Sequence, residues 1–120
     1  MNAYQYRKLF SKSKYGAKRV EQDGVVYDSK KEAKRAAVLE QWEKYGVITG
    51  LRKQVSFELQ PGYINNQGKK IKPIVYVADF VYTREGKLIV EDTKGFRTDV
   101  YKIKRKMFEY KYPAYTFVES

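Results

Sequence analysis

The chain has 120 residues, with 25 lysines and arginines against 14 aspartates and glutamates, for a formal charge of +11. This length fits one domain with one core. Because the sequence lacks cysteine and histidine, it excludes disulfides, zinc sites built from those residues and catalysis by histidine. Any metal must therefore be held by oxygen ligands, which suit Mg²⁺ or Mn²⁺. The charge favours nucleic acid as partner over an anionic membrane surface, because no segment has the clean apolar face needed for insertion.

Residues 1–16 are expected to form a basic arm in which rings alternate with cations. The residues concerned are Tyr4, Tyr6, Arg7, Lys8, Phe10, Lys12, Lys14 and Tyr15. Such a mixture suits stacking on unpaired bases or docking along a phosphate backbone, but terminal basic arms are as often without structure. Residues 17–28 are predicted to form a β-hairpin, because Asp23-Gly24 is a strong signal for a tight turn.

The core is expected to span residues 29–118 and to begin with a helix at 29–45. Ser29 and Glu32 have the spacing of a capping box, and Gly46 is a typical residue just past a helix end. Trp42, on this helix, is expected to belong to the core.

Three strands, a second helix and a last strand follow. The expected order is a strand at 51–60 with one buried face, a polar loop at 62–72, strands at 74–83 and 88–94 covered on both faces, a helix at 98–111 and a strand at 114–118. On the second helix, an apolar face is formed by Val100, Ile103, Met107 and Tyr110. The order helix, three strands, helix, strand predicts an α/β fold with a mixed central sheet flanked by helices and preceded by the hairpin.

Asp79 lies inside an apolar strand, where a carboxylate is costly unless it is paired or bound to a cation. Asp92 and Lys94 lie two apart on the next strand and therefore share a face. If Glu85-Gly86 forms a two-residue turn, Asp79 faces Asp92 across the ladder, whereas a bulge at the glycine would shift this register.

Two carboxylates that face each other indicate a divalent cation between them. Lys94 would stand beside the metal, where it could orient the attacking water or act as a general base. The alternative is structural: Asp92 and Lys94 form a surface ion pair, and Asp79 caps a turn.

Asp79 followed by Asp92-Thr93-Lys94-Gly95 resembles the signature of the PD-(D/E)XK nuclease superfamily, although Ala78 stands where that signature has proline. The resemblance also covers the predicted order of the core elements. More specifically, about residues 14–113 are similar to a family of small phage-encoded, Holliday-junction-resolvase-like endonucleases. The segments that carry this likeness are 14–16, 23–24, 27–33, 76–80, 90–95 and 101–105.

The resemblance implies a restriction-endonuclease-like core and a phosphodiesterase that uses Mg²⁺ or Mn²⁺ and leaves a 5′ phosphate. Asp79 and Asp92 would bind the metal and Lys94 would be the catalytic lysine. Glu32 would be a further catalytic carboxylate and metal ligand, a role that competes with its place in the capping box. Glu91 points to the opposite face from Asp92, and a local ion pair is expected for it.

The second helix carries further candidate contacts to nucleic acid: Tyr101, Lys102, Lys104, Arg105 and Lys106. Related nucleases often place a lysine near the position of Lys104 to hold the scissile phosphate, whereas the alternative is a solvated basic face. Together these cations are expected to bind the phosphate backbone.

These expectations combine into a Mg²⁺- or Mn²⁺-dependent endonuclease acting on branched or structured DNA in a bacterial cytoplasm. A homodimer is expected, because a junction resolvase cuts two strands symmetrically, and no membrane association is expected. The alternatives are a nucleic-acid-binding protein of the same fold without catalysis, an RNA-directed nuclease and a basic structural phage protein.

Overall fold

The computed structural model describes residues 19–93 and 97–120. The predicted arm at 1–16, the start of the predicted hairpin and Lys94 lie outside the described residues. In chain order the elements are β1 (Val20–Gln22), β2 (Val25–Tyr27), α1 (Lys30–Lys44), β3 (Thr49–Gln60), β4 (Tyr63–Ile64), β5 (Lys70–Ile71), β6 (Ile74–Arg84), β7 (Lys87–Asp92), α2 (Asp99–Lys111) and β8 (Tyr115–Glu119). Among these residues, no helix is long and apolar enough to cross a membrane.

The central sheet has the strand order β3-β6-β7-β8. β3, β6 and β7 form an antiparallel meander, and β8 returns parallel to β7 after α2. The sheet is therefore mixed, as predicted, because only the connection through a helix can bring β8 alongside β7 in the same direction. The β1–β2 hairpin at Asp23-Gly24 is also confirmed.

Helix α1 begins and ends within one residue of the predicted bounds. The Ser29 hydroxyl accepts a hydrogen bond from the backbone N–H of Glu32, at 3.2 Å. At the other end Gly46 has a φ of 76°, and the backbone N–H of Val47 donates to the carbonyl of Trp42 at 2.8 Å. This pattern closes the last turn of the helix with a glycine in the left-handed region.

The two helices cover opposite faces of the sheet. Tyr82 and Ile89 pack in the cluster beneath α1, while their neighbours Val81 and Val90 pack in the cluster beneath α2. Because successive strand residues point to opposite faces, β6 and β7 are covered on both sides, as expected. Trp42 is partly buried at the rim of the α1 cluster, between the guanidinium groups of Arg35 and Arg84 at 4.9 and 4.8 Å from its ring centre.

The predicted orientation of the second helix is wrong. Val100, Ile103 and Tyr110 are exposed and Met107 is only partly buried, whereas Tyr101 and Phe108 are buried. The seven-residue spacing of these two rings places them on one face, where Phe108 contacts the rings of Phe57, Tyr76, Tyr112, Tyr115 and Phe117. Aromatic side chains bury more area than Val or Ile, so the aromatic face packs inward.

The polar loop predicted at 62–72 is also corrected, because β4 and β5 pair in a small antiparallel sheet of their own. Tyr63 lies opposite Ile71, and Ile64 lies opposite Lys70. The sequence signal was weak because each strand is only two residues long and neither alternates with a buried neighbour.

Candidate active site

The register of β6 and β7 agrees with the two-residue turn predicted from the sequence. The pairs run from Arg84 opposite Lys87 to Phe80 opposite Glu91. Glu85 and Gly86 have φ values of 51° and 78°, and positive φ at both central residues is characteristic of the type I′ hairpin turn. The pairing ends there; Asp79 and Asp92 are the adjacent residues of β6 and β7, and both side chains are fully buried.

Asp92 is held by a buried tyrosine. The phenol of Tyr76 donates a hydrogen bond of 2.7 Å to Oδ2 of Asp92. Burial raises the pKa of Tyr76 well above its usual value, and the charges of Asp92 and then Asp79 raise it further. The negative charges of both carboxylates therefore act on this phenol.

Asp79 is held by the residue that follows β7. Its Oδ2 accepts hydrogen bonds from the backbone N–H of Thr93, at 2.7 Å, and from the Thr93 hydroxyl, at 2.9 Å. This pair of bonds ties the end of β7 to the middle of β6, one residue before Lys94. The Asp79 carboxylate is thus hydrogen-bonded within the fold, and these bonds fix its orientation.

The strand alternation of β6 breaks at Asp79. Ala78 packs in the cluster beneath α2, but Phe80 packs in the cluster beneath α1, whereas in a regular strand these two residues would share a face. On β3, Gln54 falls between the partners of Ala78 and Phe80 and has a φ of 53°. The two strands therefore deviate from regular geometry at the same level, beside the candidate site.

Glu32, the predicted further ligand, is buried. Its Oε2 accepts from the backbone N–H of Asp28 at 3.2 Å, and its Oε1 accepts from the side-chain amide of Gln54 at 3.3 Å. The Glu32 carboxylate thus reaches back to the backbone N–H of the residue before Ser29. Within residues 19–93 and 97–120, no three acidic side chains are grouped closely enough to hold a metal ion, so the role of Glu32 as a ligand stays a prediction.

Asp79 and Asp92 nevertheless suit a hard divalent cation. Mg²⁺ is usually held in proteins by one or two carboxylates, with waters and substrate phosphate oxygens completing the shell, and does not require an all-protein cage. A divalent cation would also offset the negative charge of these two buried carboxylates. The donor set therefore fits Mg²⁺ or Mn²⁺.

Glu91 forms the ion pair expected on the opposite face. Its carboxylate accepts from Nε and Nη2 of Arg35, at 2.5 and 3.1 Å, and from the phenol of Tyr82, at 2.7 Å. Burial alone would raise the pKa of Glu91, but the hydrogen bonds from Arg35 and Tyr82 outweigh it and hold that pKa below its usual value. Burial and the bond to Glu91 raise the pKa of Tyr82 to about 12.

Some of the candidate nucleic-acid contacts on helix α2 have partners within the fold, whereas others are exposed to solvent. Tyr101 is buried and donates to Oε2 of Glu119 at 2.7 Å. Arg105 pairs with Glu119 at 3.0 Å and lies 4.4 Å from the ring centre of Phe117. These two predicted contacts to nucleic acid are therefore occupied within the fold. Lys102 and Lys106 are exposed and Lys104 is partly exposed.

Sequence reasoning missed Tyr76, Thr93, Gln54 and Arg35 as supports of the acidic residues. Tyr76 lies three residues before Asp79, a spacing that regular strand alternation assigns to opposite faces. All four supports depend on strand pairing and helix placement, which no local pattern reveals.

Comparison with known proteins gives a single relationship. No curated protein and no solved structure matches the chain. A family model described as a protein of unknown function (DUF1064) matches residues 12–118, a range that includes all the described helices and strands except Glu119, the last residue of β8. The chain therefore belongs to the DUF1064 family.

Proposed function

We propose that this protein is a metal-dependent DNA endonuclease with a restriction-endonuclease-like core. The observation that carries the proposal is that two fully buried carboxylates, Asp79 and Asp92, lie next to the paired residues Phe80 and Glu91 of neighbouring strands. Further support comes from the element order, which apart from the inserted β4–β5 hairpin is the helix, three strands, helix and strand expected from the resemblance to PD-(D/E)XK nucleases.

In this proposal, Asp79 and Asp92 bind Mg²⁺ or Mn²⁺, with Glu32 as a further candidate ligand. A bound divalent ion would lower the pKa of a coordinated water and offset negative charge on the phosphate. Tyr76 and Thr93 orient the two carboxylates through the hydrogen bonds described above. Lys94 follows directly after Thr93 and serves to orient the water or accept its proton.

The proposed substrate is branched or otherwise structured DNA. Support comes from the charge of +11, which favours a phosphate backbone, and from the resemblance to junction-resolving endonucleases. Symmetric cutting of a junction requires two active sites, so the proposal includes a homodimer. Exposed Lys102 and Lys106 on α2 would add phosphate contacts.

The test compares a four-way junction, a linear duplex and a single strand, in DNA and RNA, each with Mg²⁺, Mn²⁺ or chelator. Asp92→Asn and Lys94→Ala are run beside the wild type. Asp23→Asn is the matched control, because it makes the same isosteric change at an exposed turn residue. We expect cleavage to require the metal and to fall about 100-fold or more in both site variants but not in the control.

Other outcomes separate the alternatives. Binding that is equal with metal or chelator, without cleavage by the wild type, would favour a nucleic-acid-binding protein. Cleavage of RNA alone would favour an RNA-directed nuclease. Equal cleavage by Asp92→Asn and wild type would contradict the proposal that Asp92 belongs to the active site.

A further inference from the structure

The β4–β5 hairpin with its connections, residues 61–73, is a strongly basic feature, here called the basic finger. It carries Lys69, Lys70 and Lys72, all exposed. The sequence has no aspartate or glutamate from Leu59 to Ala78. Its positive charge is therefore not balanced by acidic neighbours in the chain, unlike that of Arg105 on α2, which pairs with Glu109 and Glu119.

The basic finger is held in one shape by its own turn. Oδ1 of Asn65 accepts hydrogen bonds from the backbone N–H groups of Gln67, at 3.0 Å, and Lys69, at 2.9 Å. The N–H of Gly68 donates to the carbonyl of Asn65, and Gly68 has a φ of 76°. This arrangement is a three-residue hairpin loop with a glycine in the left-handed region, so the lysines beside it project from an ordered backbone.

The base of the finger is closely packed. A Cβ added to Gly62 would lie 3.0 Å from the carbonyl oxygen of Ile71 and 3.3 Å from Cδ of Pro73. The two strands thus approach each other at a point where only glycine fits without displacement. A preorganised element loses less conformational entropy on binding than a loop that must first be ordered.

The finger exposes apolar side chains on both of its faces. Tyr63 is 51% exposed and Ile64 is 73% exposed, and as neighbours in one strand they point in opposite directions. Lys70 lies opposite Ile64, on the same face. A two-stranded ribbon with cations and apolar groups on both faces suits insertion into the major groove of a duplex, which is wide enough to admit one.

The position of the finger relative to the candidate site is also suitable. Asp79 lies five positions after Ile74 on β6, which corresponds to about 17 Å of strand. Because β7 runs antiparallel to β6, its Asp92 end is directed toward the finger. One turn of duplex DNA spans about 34 Å, so a duplex that places a phosphate at the carboxylates can also reach the finger.

We infer that the basic finger is a DNA-binding element in which Lys69, Lys70 and Lys72 contact the phosphate backbone of the substrate. The inference rests on the proposed function for the identity of the substrate, but it concerns binding and not cleavage. The two can therefore be tested apart.

The experiment measures binding of a fluorescent four-way junction and a fluorescent duplex in chelator, over a range of NaCl concentrations. The finger variant carries Lys69→Ala, Lys70→Ala and Lys72→Ala. The matched control carries Lys34→Ala, Lys44→Ala and Lys87→Ala, which removes the same charge from exposed positions elsewhere. We expect the finger variant to bind about 10- to 100-fold more weakly, with a salt dependence reduced by about two to three in log–log slope, and the control to change little.

Each alternative result overturns the inference in a recognisable way. If DNA binding were weakened equally in the finger variant and the control, binding would depend only on the overall positive charge of the protein. Unchanged binding in the finger variant would overturn the inference, and so would a wild type that binds no DNA. The nuclease proposal is decided separately, by the cleavage assay with metal. Vesicles of phosphatidylserine and phosphatidylcholine serve as the last arm: vesicle binding lost in the finger variant, with DNA binding retained, would assign the finger to a membrane.

Discussion

Tyr76 and Asp92 are joined by a buried hydrogen bond of 2.7 Å from phenol to carboxylate. Both residues are almost completely inaccessible to solvent, so water cannot replace this bond. A partner of this kind fixes the orientation of a carboxylate before a cation binds, and the loss of such a partner typically lowers metal affinity 10- to 100-fold. The Tyr76–Asp92 bond therefore connects the packing of the sheet to the proposed chemistry.

Tyr76→Phe is expected to weaken Mn²⁺ binding about tenfold or more. It should also lower the free energy of unfolding by about 1–3 kcal/mol, because a buried acceptor loses its donor. Calorimetric titration with Mn²⁺ and denaturant unfolding measure the two effects.

Tyr82→Phe is the matched control for Tyr76→Phe, since it removes another 2.7 Å phenol–carboxylate bond, to Glu91 on the α1 side. We expect this control to lose stability while keeping Mn²⁺ affinity. Equal Mn²⁺ affinity in wild type and both variants would mean that Tyr76 does not position a metal ligand.

Arg35→Met is expected to lower the free energy of unfolding by roughly 3 kcal/mol or more, because it leaves the fully buried Glu91 without its cation. Arg84→Met is the control, since Arg84 also stacks on Trp42 but forms none of the described bonds to Glu91. An exposed stack of this type contributes only about 0.5–1 kcal/mol. Similar losses in the two variants, measured by urea unfolding, would contradict a dominant role for the ion pair.

Stability is expected to fall as the pH is lowered from about 4.5 toward 2 because of Glu119. Hydrogen bonds from Arg97, chiefly, and Tyr101, together with the charge of Arg105, lower the pKa of Glu119 from 4.5 to about 2. A carboxylate with a lowered pKa in the folded state stabilises the fold above its unfolded pKa, and this contribution is lost as the pH falls through the folded value. Denaturant unfolding over this pH range should show a shallower decline in Glu119→Gln than in wild type.

Glu21→Gln is the control for the pH experiment, because Glu21 is an exposed carboxylate on β1. It should retain the wild-type slope. If Glu119→Gln showed that slope as well, the acid sensitivity would have to come from another carboxylate, such as Glu91.

The sequence predicted those features that are determined by residues close together in the chain. Ser29 and Gly46 mark the ends of α1 because a cap and a left-handed glycine act within a few residues of themselves. The register of β6 and β7 was also predictable, since a two-residue turn fixes the pairing on both sides of it.

Features that depend on tertiary packing were not predictable in the same way. The face of α2 was misassigned because Val100 and Ile103 fit a helical stripe as well as Tyr101 and Phe108 do, and only the rings contributed by β3, β6 and β8 decide between them. Likewise, the hydrogen bonds from Thr93 to Asp79 and from Gln54 to Glu32 join residues 14 and 22 positions apart. No short spacing rule can reveal such contacts.

The Glu85-Gly86 turn sets the pairing of β6 with β7, the two strands that carry Asp79 and Asp92. Substitutions in this turn therefore test whether the candidate site depends on that pairing. Glu85 has a φ of 51°, a conformation that asparagine tolerates better than glutamate does. Glu85→Asn should therefore raise the free energy of unfolding by a few tenths to about 1 kcal/mol. It should leave Mn²⁺ affinity unchanged, because the register is preserved.

Gly86→Val is the opposing change at the same turn. A β-branched residue at a φ of 78° is expected to cost about 1–2 kcal/mol or to force a different turn. A new turn would shift the pairing of β6 with β7 and separate Asp79 from Asp92, so Mn²⁺ affinity should fall together with stability. Loss of stability with intact Mn²⁺ affinity would show that the two carboxylates do not depend on this register, and the proposed metal site would then need another geometric basis.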